Sequence, residues 1–203
     1  MTRITLFDYG AGNLHSLGKA FAGPDREVRV EPDPLRALDT DLLVLPGVGA
    51  FGPAAARLAP ARAAMRAAIL DGLPTIGICL GMQLLLDESD EGEGAGLGVL
   101  AGRVTRLAAA RLPQIGWNGV EDTTDPAFAA SGCDIAYYAN SFACRPTDVR
   151  AVTAWSRHED DRFPASVRTA RCVGLQFHPE KSSRPGRRLL DAIVTSLLTE
   201  PHR

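Results

Sequence analysis

The chain has 203 residues, 45% of them hydrophobic and 23% charged, with a formal net charge of −2. That length suits one domain spanning 1–203, and that charge offers no field for nucleic acid or an anionic membrane. The opening MTRITLFDYG lacks the charged and uninterrupted apolar regions of a signal peptide, and no apolar run is long enough to span a bilayer, so a cytoplasmic setting is expected.

In chain order, Ile4–Phe7 reads as a short apolar strand. The glycine-containing turn Gly10–Gly12 follows, then a helix from about Asn13 to Phe21. Glu27–Glu31 alternates as a second strand, and Leu42–Leu45 is continuously apolar, as a strand buried on both faces would be. Ala54–Leu70 carries apolar residues at helical spacing, with Arg57, Arg62 and Arg66 free to point outward. Thr75–Ile78 is another buried strand, and Leu80–Leu86 reads as helix. This alternation predicts an α/β fold with an open, mostly parallel central sheet and helices on both faces. From Leu97 to Gly174 the pattern changes to short strand-like runs, Val99–Leu107, Ile135–Ser141, Ala151–Trp155 and Val167–Ala170, which predict additional antiparallel strands. Pro185 suits a first helical turn, and Arg187–Leu198 carries an apolar stripe that closes the chain.

Cysteines stand at 79, 133, 144 and 172 without a CxxC pair, and His15, His158 and His202 are not at zinc-ligand spacing from them. Free thiols are therefore expected, and no metal site or organic cofactor is suggested. Gly10-Ala-Gly12 lacks the third glycine of a dinucleotide loop and is read as a tight turn. Only the context of Cys79 singles out one thiol. A buried strand runs into Gly77-x-Cys79-x-Gly81 and then into a helix, the form of a nucleophile elbow with Cys in place of Ser. Glycines two positions either side relieve the crowding of a sharp strand-to-helix turn. Such a turn lifts the sulfur above the sheet edge near the positive helix end, and turns the Leu80 N–H toward a forming oxyanion. Taken alone, the pattern equally fits a small buried cysteine in a tight turn.

A second constellation is Val173-Gly-Leu-Gln-Phe-His-Pro-Glu-Lys-Ser182. In an extended segment His178 and Glu180 project to the same side. A carboxylate beside an imidazole fixes its tautomer and supports its cation, the third-group role in a catalytic triad. His-x-Glu by itself also describes an ordinary surface pair. Following a buried strand, in a chain that also holds an elbow cysteine, it points to proton transfer at an α/β sheet edge.

GICLGMQLL and QFHPEKS together resemble the class I (triad) glutamine amidotransferases. Asp8-Tyr-Gly-Ala-Gly-Asn-Leu14, Leu45-Pro-Gly-Val-Gly-Ala-Phe51 and Leu112-Pro-Gln-Ile-Gly-Trp-Asn118 narrow the resemblance to the glutaminase subunits of imidazole glycerol phosphate synthases, of histidine biosynthesis. The matching stretches run from about residue 4 to residue 183.

The resemblance implies that Cys79 attacks the glutamine side-chain amide to form a thioester, with His178 and Glu180 as its partners. It implies an oxyanion hole from the Val48 peptide and Leu80 N–H, and substrate contacts at Gly47, Gln83, Ser141 and Phe142. It also implies a separate (β/α)8-barrel cyclase as heterodimeric partner, docked around Asn13, Trp117, Asn118, Tyr138 and Lys181. The chain is too short to hold a barrel as well. Two positions depart from the family pattern: Asn140 and Gln114 stand where His is usual. The alternatives are the glutaminase of pyridoxal phosphate synthase, which has a different oxyanion block, a cysteine peptidase or other hydrolase built on the same elbow, and a binding module without catalysis, which would require a missing triad member.

Overall fold

A computed structural model of the chain describes residues 1–10 and 14–199. In chain order the elements are β1 (Thr2–Phe7), α1 (Leu14–Phe21), β2 (Arg26–Glu31), β3 (Leu42–Leu45), α2 (Phe51–Leu58), α3 (Arg62–Leu70), β4 (Thr75–Ile78) and α4 (Leu80–Gln83). They continue with β5 (Glu88–Ser89), β6 (Gly102–Arg106), β7 (Gln114–Gly119), α5 (Pro126–Ser131), β8 (Ile135–Asn140) and β9 (Phe142–Pro146). Last come β10 (Val152–His158), β11 (Asp161–Thr169), β12 (Cys172–Leu175) and α6 (Ser183–Thr199).

The central sheet has the order β10-β11-β12-β4-β3-β1-β2. Its β12-β4-β3-β1-β2 portion is parallel, and β10 and β11 extend it with antiparallel pairs. Period-two alternation splits the apolar strands between two cores. Leu42 and Val44 join Ile76, Ile78, Val173 and Leu175 under α1, α5 and α6. Leu43 and Leu45 join Phe7 and Met82 under α2 and α3. Helices thus cover both faces, as the sequence predicts. A three-stranded sheet, β5-β6-β9, and a two-stranded ribbon, β7-β8, carry the added antiparallel structure.

The boundaries differ from expectation where tertiary structure intervenes. The single helix expected over Ala54–Leu70 is two, joined by a 3-10 turn at Ala59–Ala61 that contains Pro60. The helix expected over Leu80–Leu86 ends at Gln83. The carbonyls of Leu84, Leu85 and Leu86 instead accept from the N–H groups of Leu97, Val99 and Gly98 in the following loop. Strand β11 begins at Asp161, well before the expected Val167, although it contains Pro164. The β10–β11 pairing is irregular between Ala154 and Trp155, beside the Trp155–Pro164 pair, where a residue without an N–H is tolerated.

Among the described residues no helix is long and apolar enough to cross a membrane, and no cluster of three or more His, Cys, Asp or Glu could hold a metal. All four cysteines are free and buried.

Candidate active site

Strands β4 and β12 are parallel neighbours with Leu175 beside Ile78, so the segments leaving their C-terminal ends emerge side by side. The first carries Cys79, whose N–H donates to the Leu175 carbonyl at 2.6 Å. Cys79 takes φ 46° and ψ −102°, a conformation rare for any residue with a side chain. Backbone held this way costs about 1–3 kcal/mol, and such strain concentrates at functional sites. The flanking glycines are obligatory. A Cβ on Gly77 would stand 2.6 Å from the Gly81 carbonyl oxygen, and one on Gly81 would stand 1.9 Å from that of Leu45. The turn therefore forms only because both side chains are absent. Since α4 is a single turn, shorter than the expected Leu80–Leu86 helix, it offers oriented N–H groups more than a helix dipole.

His178 follows β12 and donates its N–H to the Tyr137 carbonyl at 2.8 Å. Its Nδ1 lies 2.8 Å from Glu180 Oε1, both side chains being almost wholly buried. The Ser182 hydroxyl locks the turn from behind, donating to the His178 carbonyl at 2.7 Å and accepting from the Tyr137 N–H at 2.9 Å. Burial works against the imidazolium, yet the hydrogen bonds and charges of Cys79 and Glu180 outweigh it and raise the His178 pKa to about 9. Burial pushes the Cys172 thiol up to about 12, as an inert core thiol behaves.

Cys79 and His178 open on a cavity of about 280 Å³. Gly47, Val48, Leu80, Gln83, Ser141 and Phe142, the expected oxyanion and substrate residues, all line it, as does Asn140. Gly47 packs so closely that a Cβ would stand 2.8 Å from the Ile78 carbonyl and 3.0 Å from His178 Cε1. Gln83 is buried, and its Nε2 donates to the Phe142 carbonyl at 3.1 Å. Asn140 donates to the same carbonyl at 3.0 Å, so two amides from different elements fix the rim. The other departure from the family pattern, Gln114, is buried and pairs with Asn140 in the β7–β8 register.

Sequence reasoning passed over two residues here. Glu91 lines the cavity and accepts the Phe51 N–H at 3.0 Å, capping α2; no local pattern marked it. Gln176, fully buried, donates through Nε2 to the Cys79 sulfur at 3.6 Å. Its position two residues before His178, at the end of a buried strand, was the available signal.

The expected docking residues divide. Trp117 is 55% exposed, beside exposed Ile115 and Ile135, and stacks edge-on to Tyr137, whose ring Lys181 Nζ approaches to 5.8 Å. Tyr138 is a correction. It is fully buried against Phe163 and Phe177, so it presents no surface to a partner. Strand β8 turns Ala136, Tyr138 and Asn140 inward, and the outward aromatic is its neighbour Tyr137. The Asn118 side chain is turned back on the fold, bonding the Arg157 carbonyl at 2.7 Å and the Gly119 N–H at 2.7 Å. Asn13, and with it the end of the Gly10–Gly12 turn, lies outside the described residues.

The family described as glutamine amidotransferase class-I matches residues 5–195. The chain is 46% identical over 199 residues to the imidazole glycerol phosphate synthase subunit HisH of Symbiobacterium thermophilum, covering 94% of this chain and 92% of that one. It is 38% identical over 193 residues to the protein of the same name from Pyrococcus furiosus, covering 94% and 97%. Among solved structures it is similar to a glutamine amidotransferase, with TM-score 0.71, 19% identity and coverage of 94% and 98%. It is similar also to PurLQS from Thermotoga maritima, with TM-score 0.69, 20% identity and coverage of 97% and 100%. The chain belongs to the class-I glutamine amidotransferases, and within them to the family of imidazole glycerol phosphate synthase HisH subunits.

Proposed function

We propose that this chain is the glutaminase subunit of an imidazole glycerol phosphate synthase, hydrolysing glutamine to glutamate and ammonia through a Cys79–His178–Glu180 triad. The observation that carries this reading is the meeting of an elbow cysteine and a carboxylate-backed imidazole at adjacent strand ends, on one small cavity. Glu180 on Nδ1 leaves Nε2 of His178 for the sulfur and the substrate. The Cys79 sulfur attacks the amide carbon, and the oxyanion gathers N–H groups at Leu80 and the Val48 peptide. His178 passes its proton to the departing ammonia, then takes one from the water that opens the thioester and releases glutamate. Glutamine also presents an ammonium, and Glu91 offers it a carboxylate across the cavity.

Ammonia freed into water becomes mostly ammonium, which cannot attack carbon, so a glutaminase serving synthesis gains by docking onto its acceptor. That acceptor is a separate (β/α)8-barrel cyclase bound as a heterodimer. It joins ammonia to a phosphorylated ribulosyl nucleotide and yields imidazole glycerol phosphate and aminoimidazole carboxamide ribotide. The exposed apolar face of Ile115, Trp117 and Ile135, flanked by Lys181 at the cavity rim, has the character of a docking surface. The whole complex is thus a lyase-type synthase of the cytoplasm, and the chain acts in it as one domain. Release of glutamate from glutamine, measured with and without the cyclase and its ligand, tests the reading. Weak turnover alone and strong turnover in the complex is expected; equal turnover contradicts the coupling, and none in either state contradicts the activity.

A further inference from the structure

Two polar side chains from one short segment converge on the Cys79 sulfur. Residues 176–178 leave β12 through a bend in which Gln176 and His178 both meet the cysteine, while Phe177 packs against Phe128 and Tyr138. The segment is pinned at both ends, with the Gln176 N–H on the Ala165 carbonyl at 2.9 Å and the His178 N–H on the Tyr137 carbonyl at 2.8 Å. Gln176 has no exposure, and its Nε2 donates to the sulfur at 3.6 Å. Its Oε1 is buried without a partner among the described residues. An orphaned buried carbonyl costs about 1–3 kcal/mol. A glutamine kept only for packing would bond both ends of its amide or be replaced by an apolar side chain. Here one end is left unpaired and the other is directed at the nucleophile. The reverse orientation would set an oxygen against the sulfur, which repels it once the sulfur is negative.

We propose that Gln176 is a positioning residue of this site, whose amide N–H holds the Cys79 sulfur toward His178 and stabilises its negative form. The proposal rests on the reading of Cys79 as nucleophile. The titratable groups facing the sulfur are His178, with Glu180 behind it, and the buried Cys144 of β9. Glu91 and Lys181 stand on the rim of the same cavity. Gln176 adds to these an amide donor that carries no charge of its own. It supports the anion without titrating, and it remains when His178 loses its proton to the leaving group.

The test uses Gln176→Met, which keeps the volume and removes the donor, and Gln176→Glu, which keeps the shape and one oxygen but reverses the polarity at the sulfur. Alkylation of Cys79 by iodoacetamide, followed by peptide mapping across pH, reads the sulfur without any substrate. The midpoint of alkylation is expected to rise by roughly half to one pH unit in Gln176→Met and further in Gln176→Glu. In the complex with the cyclase, kcat for glutamate release is expected to fall on the order of tenfold, with KM within about twofold. A purely structural role would lower the melting temperature and leave the midpoint in place. Folded variants with the wild-type midpoint overturn the proposal. If the midpoint shifts but the wild type releases no glutamate, the assignment of Gln176 stands and the glutaminase reading fails.

Discussion

Replacing Glu180 with Gln keeps an oxygen near Nδ1 of His178, which Oε1 now meets at 2.8 Å, and removes the charge. The His178 pKa of about 9, against an ordinary histidine value of 6.5, corresponds to a net bias toward the imidazolium of about 3 kcal/mol. Burial opposes that bias, so Cys79 and Glu180 together supply more than the net. If Glu180 contributes about half, the variant's pKa drops by roughly one to two units, into the range of an ordinary histidine. The assay is kcat/KM for glutamate release in the cyclase complex, followed across pH. The wild-type alkaline limb is expected near pH 9, and that of Glu180→Gln near pH 7 to 8, by this roughly even division. Stability follows the same sign. The folded value lies above the unfolded one, so the imidazolium stabilises the fold fully below about pH 6.5, and the effect fades as pH rises through about 9. Denaturant midpoints for the variant should therefore fall behind the wild type most clearly below about pH 6.5, with the gap closing as pH rises through about 9. A limb that stays near pH 9 in Glu180→Gln would refute the assignment of the carboxylate as the imidazole's support.

Other substitutions probe separate parts of the account. Gly81→Ala sets a methyl 1.9 Å from the Leu45 carbonyl and is expected to cost about 3 kcal/mol or more, read as a melting temperature lower by roughly 6–12 °C. Tyr138→Ala should cost about 3–5 kcal/mol, since it empties a fully buried aromatic site; an unchanged melting curve would contradict that burial. Trp117→Ala should leave stability within about 0.5 kcal/mol and weaken association with the proposed cyclase partner at least about tenfold in titration calorimetry, because its ring is exposed on the proposed docking face.

The parallel core was legible because its strands are short apolar runs between glycine and proline punctuation, and Leu42–Leu45 and Thr75–Ile78 fall where the sequence places them. Gly77 and Gly81 likewise announced the elbow, and the clashes at each show the reason in the backbone. What escaped was decided by distant partners. The run Leu84–Leu86 is helical in propensity, but its carbonyls are taken by residues 97–100. Strand β7 carries Gly116 at φ 131° and a polar mix that hides its alternation, and it exists because β8 pairs along its length. Helix α5 was readable and overlooked: Asp125 caps it by accepting from the Ala127 N–H, Pro126 opens it and Gly132 closes it in the left-handed conformation. Tyr138 shows the limit of placing function by sequence neighbourhood. It lies in the right ribbon, one residue out of phase with the surface.

The claim on which the rest depends is that the Cys79 sulfur becomes covalently acylated during turnover. Acid quenching of the cyclase complex in the steady state with glutamine, followed by peptide mass spectrometry, tests it directly. The account requires a glutamyl adduct on the Cys79 peptide, absent with Cys79→Ser, whose glutamate release falls by at least about a thousandfold while the complex stays intact. Glutamate release at an undiminished rate by Cys79→Ser, or an adduct on Cys133, Cys144 or Cys172 instead, would contradict it.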